Sequence, residues 1–366
     1  MEKLVEIISK FGFSGDYIDA TIIQNGHIND TYKLTFSCSN GQIRIYILQK
    51  INTNIFKDPL ALMQNINVVS NYLQSKLKIK ERTLQIVKTK NDELFLRLNT
   101  DDCWRAFDYI EKTISYQKVT TSDQMYKAGK AIANFHSLLS EFPTEELHTT
   151  IENFHNTGFI YEQFVNDFQL DKNGKSIEVS NESSFFDERK KYFGLYQSLK
   201  DKGQLPIRVC HNDTKFNNIL FDNNSKEPIA IIDLDTVMPG CILNDFGDAI
   251  RTGANSAVED ESDLDKIQFN ILFFESFSKG YLEIAQDFIS KNELTWLAYS
   301  PYIITLEQGI RFLHDHINGD VYFKTSRNNH NLDRARNQIK LAMEMEGSLD
   351  NMKDIVNNQI KSNSTF

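Results

Sequence analysis

The chain has 366 residues, 40% of them hydrophobic and 25% charged, a composition that excludes a collagen-like or wholly disordered polymer and leaves room for two or three domains or one large two-lobed enzyme. Forty basic and 50 acidic side chains give a formal charge of −10, so the broad basic footprint of a duplex-DNA or anionic-membrane binder is missing. Four scattered cysteines with no C-x-x-C pair, and no apolar run of the roughly 18 residues that a membrane span needs, lead to the expectation of a reduced, cytoplasmic protein whose partners are neither nucleic acid nor membrane.

In chain order, Leu4, Val5, Ile7, Ile8 and Phe11 have helical spacing. Strand-like runs follow at 21–24, 31–37 and 43–49, separated by Asn25-Gly26 and by Asn40-Gly41, the latter a hairpin signal. Asp58-Pro59 reads as a cap plus first-turn proline that opens a helix to about Gln74. Strands are predicted at 84–88, 94–98 and 104–110, which completes a small α+β lobe over residues 1–110. The rest, 111–366, reads as a larger and mainly helical lobe. Its helices are expected from Ser122 through Leu139, at 185–199, at 264–289 and at 301–317, with a frayed tail at 357–366. A β-rich island at 207–210, 219–221 and 229–234 interrupts them.

That island carries the chemistry. His211-Asn212-Asp213-Thr214-Lys215-Phe216-Asn217-Asn218 is an H-x-D-x-x-x-x-N pattern, and Ile231-Ile232-Asp233-Leu234-Asp235 follows. A short turn after a strand presents Asp213 to solvent, and Asn218 returns at the start of the next strand. An apolar strand then delivers Asp233 to the same edge. Asn218 and Asp233 offer the hard oxygens that suit Mg²⁺ on nucleotide phosphates. Asp213 is left to accept a hydroxyl proton, and Lys215 reaches a transferring phosphoryl group as a point charge. This division of labour is that of kinase-like phosphotransferases. His136 reads as a hydrogen-bonded packing residue, and His155 as either a pocket-lining or an ordinary loop histidine.

The stretches 26–32, 46–50, 211–215, 232–240, 245–248, 311–313 and 319–323 resemble the aminoglycoside phosphotransferase and choline kinase group of small-molecule kinases over nearly the whole chain. Within it, 233–240 and 311–323 are most similar to the branch that phosphorylates N-acetylhexosamines at the anomeric position. The resemblance implies a two-lobed, protein-kinase-like α+β fold with nucleotide in the cleft, ATP and Mg²⁺ as cofactors, and GlcNAc or GalNAc as acceptor. It implies that Asp213 is the base, that Asn218 and Asp233 hold the metal, and that Asp235 is a further ligand or a support. Gly26, Asn29 and Thr31 would belong to a loop over the phosphates. Gln49 or Lys50 falls where the group carries a basic residue, and strand parity lets only one of the two face phosphate. The helix from Pro59 contains no Asp or Glu to pair with it, which leaves Asn67 as a candidate neutral partner. Arg311 would bond sugar hydroxyls beside an aromatic wall, Tyr322; the competing reading is an i,i+4 surface pair of Arg311 with Asp315. A kinase for an amino alcohol or aminoglycoside, and a nucleotide-binding pseudokinase, are the alternatives.

Overall fold

The computed structural model describes residues 2–23, 28–78 and 81–363, and the chain folds into two compact units. The first takes in 1–114, 145–152 and 221–238, so segments from far along the chain complete the amino-terminal sheet unit. The second comprises 115–144, 153–220 and 239–366.

In the first unit, helix α1 (Glu2–Ser9) precedes strands β1 (Asp16–Ile23), β2 (Asp30–Ser37) and β3 (Ile43–Ile51), which pair as an antiparallel meander. The β2–β3 hairpin closes at Asn40-Gly41, where Gly41 takes φ 78°, a left-handed conformation that glycine adopts without penalty. Asn25-Gly26 lies outside the described residues. Helix α2 (Pro59–Lys76) begins where Asp58 accepts the amides of Leu60 and Ala61, the predicted cap. Strands β4 (Ile86–Val87), β5 (Leu96–Asn99) and β6 (Asp102–Asp108) complete a sheet of order β1-β2-β3-β6-β4, with β5 beside β6. One face packs on α1: Ile7, Ile8 and Phe11 meet Leu34, Phe36, Tyr46, Leu48, Trp104 and Ala106. Each such buried aliphatic side chain contributes roughly 1.5–3 kcal/mol relative to exposure.

The second unit is helical. Its helices are α3 (Ser122–Leu138), α4 (Thr157–Leu170), α5 (Ser180–Glu188), α6 (Leu195–Asp201), α7 (Ile242–Gly253), α8 (Ile271–Ala285), α9 (Lys291–Leu297), α10 (Ser300–Ile317) and α11 (His330–Asn363). Several differ from expectation. Thr121, not Ser122, caps α3, through a capping box with Gln124. The predicted helix over 185–199 is two helices broken at Gly194, φ 75°. The run over 264–289 becomes helical at Asn270, whose side chain accepts two amides. From Asn357 the chain continues α11 to Asn363 instead of fraying there, while 364–366 lie outside the described residues. Among the described residues no helix is long and apolar enough to cross a membrane, and the four cysteines are free thiols.

Helices α3 and α8 cross backbone to backbone. A Cβ on Gly129 would collide with the Phe277 carbonyl, and one on Gly280 with the Tyr126 carbonyl. We expect Gly280→Ala to cost about 1–3 kcal/mol through this overlap. Gly347→Ala, on α11 with nothing within 4 Å of the new carbon, should gain up to about 1 kcal/mol of helix propensity. Urea denaturation of the two variants checks the contrast.

Candidate active site

The predicted residues fall in both units, and each group is described within its own. In the helical unit, strand Arg208–Cys210 runs into His211-Asn212-Asp213, where Asn212 takes φ 63°. Asp245, in the first turn of α7 and fully buried, clamps this turn. Its Oδ2 accepts the His211 amide at 2.7 Å, and its Oδ1 the Asn212 amide at 2.6 Å. His136 Nε2 lies 2.8 Å from Oδ2, and Nδ1 lies 2.9 Å from the Tyr281 hydroxyl. A carboxylate only accepts, so Nε2 of His136 carries a proton. Burial alone would raise the Asp245 carboxyl; the hydrogen bond and charge of His136, with His211, outweigh it and hold the group below the usual carboxylate range.

On the turn that Asp245 fixes, Asp213 Oδ1 meets Lys215 Nζ at 2.8 Å. Asn218 Nδ2 donates to the Asp213 carbonyl at 2.9 Å and to Oδ2 at 3.3 Å. The side-chain nitrogen of Asn218 is thereby committed to Asp213. Burial pushes the Asp213 carboxyl up, but Lys215 outweighs it and keeps the carboxyl low; Lys215 is raised in turn despite burial. Asp248, one turn beyond Asp245, behaves oppositely. Burial raises it although Arg251 reaches its Oδ1 at 2.8 Å, and its Oδ2 is buried with no hydrogen-bond partner. The two neighbouring carboxyls are thus pushed apart, Asp213 below and Asp248 above the usual carboxylate range.

Arg311, on α10, lies over the Phe154 ring at 4.8 Å and the Tyr322 ring at 5.9 Å from guanidinium carbon to ring centroid. It pairs with Glu307 at 3.4 Å, one turn earlier. Asp315 is not its partner. That buried carboxylate accepts the amides of Val321, Tyr322 and Phe323 and the side chain of Asn331, and so shapes the loop that presents Tyr322. Glu307 also meets His155 Nδ1 at 2.8 Å, and His155 Nε2 lies 3.3 Å from the Asn212 carbonyl.

In the sheet unit the organiser is a buried fork. Arg105, on β6, is 1% exposed and grips both oxygens of Asp235, at 2.6 and 2.8 Å. Its Nε donates to Gln49 Oε1 at 3.0 Å, and Gln49 donates to Thr31 Oγ1 at 3.1 Å. Asn29 donates to Asp235 at 2.7 Å and accepts the Asn52 amide at 3.0 Å. Gln49 and Arg105 are cross-strand partners, as are Lys50 and Trp104, so parity puts Lys50 on the α1 face. There it lies 3.7 Å from Asp102, which also holds Lys3. Asp233 is exposed, at φ 63° and ψ 57°. Asn67 accepts from Asn71 on its own helix, while the buried α2 amide is Asn65, which reaches the carbonyls of His148 and Val237.

Asp213, Lys215 and Asn218 are therefore gathered, as are Arg311 and Tyr322, and as are Asn29 and Thr31 around Asp235. Lys50 stands apart from the Asp235 group, and Gly26 lies outside the described residues. Asp235 is a support, since Arg105 and Asn29 take its oxygens. Arg105 was missed, although a basic residue of matching parity on the predicted strand 104–110 was a readable signal. Glu307 was missed, and the contacts that join it to His155 and that join Asp245 to the turn were not foreseen, because long-range partners leave no local pattern. Among the described residues no three His, Cys, Asp or Glu side chains converge as they would on a protein-held metal ion. The Asn218 side-chain oxygen, taken within its own unit, is a hard donor of the kind magnesium accepts beside waters and phosphates.

The model of the phosphotransferase enzyme family matches residues 19–271. Among solved structures, the chain is similar to a microcompartment-associated aminopropanol kinase, with TM-score 0.66, 14% identity and coverage of 96% of this chain and 98% of that one. A spectinomycin phosphotransferase solved with ADP and spectinomycin gives 0.59 and 16%, covering 94% and 98%. Choline kinase from Cryptosporidium parvum gives 0.57 and 12%, covering 99% and 98%. At these identities the likeness is one of fold, the protein-kinase-like α+β fold expected above.

The Asp245 clamp has a pH signature. Its folded pKa lies below that of the unfolded chain, near 3.9. The stability it contributes is thus full above that value and is lost as pH falls through the folded pKa. We expect Asp245→Asn to lose about 3 kcal/mol or more at neutral pH, with the gap to wild type closing below about pH 4. Denaturant titrations of both proteins across pH test this.

Proposed function

This chain belongs to the phosphotransferase enzyme family, and we propose that it transfers the γ-phosphoryl group of ATP to the anomeric hydroxyl of an N-acetylhexosamine, GlcNAc or GalNAc, giving the sugar 1-phosphate. The observation that carries the acceptor class is the seating of Arg311. Phe154 and Tyr322 offer π faces of the kind that bind a substrate ammonium. Here the protein's own guanidinium occupies both. A neutral polyol needs no opposite charge, and a guanidinium held in place presents its remaining donors in a fixed fork. Tyr322 keeps 44% of its surface exposed and serves as a wall for the sugar ring.

In this reading Asp213 accepts the proton of the anomeric hydroxyl as the sugar oxygen attacks the γ-phosphorus. The bond from phosphorus to the β,γ-bridging oxygen breaks, and ADP leaves. The C1–O bond is untouched, so the anomeric configuration is retained. Lys215 keeps Asp213 anionic and lends positive charge to the moving phosphoryl group. Asn218 and Asp233 are assigned as the magnesium donors from their spacing in the sequence. The metal supplies charge neutralisation on the phosphates. Asn29 and Thr31 act by bracing the Asp235 support, and Arg105 takes the cationic place expected of Lys50.

An amino-alcohol or aminoglycoside acceptor is the second reading. The similar structures named for aminopropanol, choline and spectinomycin favour it, as does the buried carboxyl of Asp248. Turnover with Mg²⁺ and ATP across a panel of free sugars and amino alcohols decides between the two. Turnover only with amines would sink the sugar assignment; turnover with nothing would favour a pseudokinase or an untested alcohol. Asp213→Asn should lower turnover by about 10²–10⁴-fold while ATP binding persists. Arg311→Ala should raise the KM for GlcNAc by about 10–100-fold and leave that for ATP nearly unchanged. A normal sugar KM in that variant removes Arg311 from the pocket.

A further inference from the structure

His155 touches two groups that can only accept hydrogen bonds. Nδ1 lies 2.8 Å from a Glu307 carboxylate oxygen, and Nε2 lies 3.3 Å from the Asn212 carbonyl. A neutral imidazole has a single N–H, so one contact would set lone pair against lone pair; both are satisfied only by the imidazolium. The carbonyl in question belongs to the peptide that joins Asn212 to Asp213. The N–H of that same peptide donates to His211 Nδ1 at 3.2 Å. The peptide carrying the base is therefore held at both edges by histidines, at a residue with left-handed φ. Through Glu307, the same imidazolium is joined to Arg311.

We infer that protonated His155 is a positioning residue that couples the Glu307–Arg311 pair to the Asp213 peptide, so that the acceptor grip and the base are aligned only while both ring nitrogens carry protons. The inference rests on the roles given above to Asp213 and Arg311. The groups facing His155 are Glu307 and Arg311 from α10, Asp248 from α7, the Asn212 carbonyl and the ring of Phe154 at 4.6 Å. Burial, Arg311 and the amino-terminal end of α4 disfavour its charge. Glu307, with help from Asp248, outweighs them, and His155 stays charged above the ordinary histidine value of 6.5. As pH rises through its folded pKa, the proton toward Asn212 is the one to go, because the other faces a carboxylate.

The test uses the full chain. NMR of histidine-labelled protein, with the resonance assigned by its loss in His155→Gln, should give His155 a pKa above 6.5 that drops in Glu307→Gln. Hydrogen exchange of the peptide spanning 211–218, corrected for intrinsic rates, should step up through that same pH in wild type and show no step in His155→Gln. With GlcNAc and Mg-ATP, kcat should fall at least tenfold through the same titration while the KM for ATP holds. A His155 pKa at or below 6.5, or exchange without a step in wild type, overturns the inference. If GlcNAc is not turned over but both spectroscopic steps appear, the sugar assignment fails and the coupling stands. Should His155→Gln not fold, the wild-type and Glu307→Gln titrations still decide.

Discussion

One buried carboxylate sets the turn that carries Asp213. Asp245 meets two consecutive backbone amides and one imidazole, and all three are removed from water. A backbone amide buried without an acceptor costs a large part of a hydrogen bond. The carboxylate under this turn accepts the amides of His211 and Asn212, and the left-handed conformation of Asn212 is one that asparagine adopts readily. Once that turn is fixed, the positions of Asp213, Lys215 and Asn218 follow from chain geometry, with little freedom left to their side chains. Asp213 is not held by its own bonds alone; it inherits its place from Asp245, more than thirty positions later.

The sheet unit repeats the logic with the signs reversed. Arg105 is the buried cation there, and Asp235, Gln49 and, through Gln49, Thr31 arrange themselves around its planar fork. A lysine in that position would offer a point charge and could not hold both oxygens of Asp235 while also meeting Gln49. The absence of an acidic residue on α2 becomes intelligible. The cation on this face is satisfied by the residue two positions after Asp233, so no helix carboxylate is required.

Local signals in the sequence were dependable where the physics is local. The Asp58-Pro59 cap, the Asn40-Gly41 hairpin and the H-x-D-x-x-x-x-N turn were all legible, because each is decided within a few residues. The break at Gly194 was also readable as glycine but lost to the apolar periodicity around it. Parity limited the choice to Gln49 or Lys50 without saying which face was which, since that depends on where α1 packs. The competing reading of Arg311 rested on an i,i+4 pair with Asp315, whose partners are instead three successive amides in a loop that spacing rules do not reach. Glu307 was invisible for the same reason, and neither the 245–248 stretch nor the pocket-or-loop reading of His155 showed what Asp245 and His155 touch, because those contacts span tens of residues.

The glycine crossing of α3 and α8 has a consequence for how relatives of this chain are read. Positions 129 and 280 each face a carbonyl of the opposite helix, so neither tolerates even a methyl group unless the helices part. Substitution at one cannot be rescued by change at the other, because both are already at the smallest side chain. The constraint at both positions comes from packing and involves no substrate. In a relative of this chain, a larger side chain at 129 or 280 would imply that these two helices stand further apart than here.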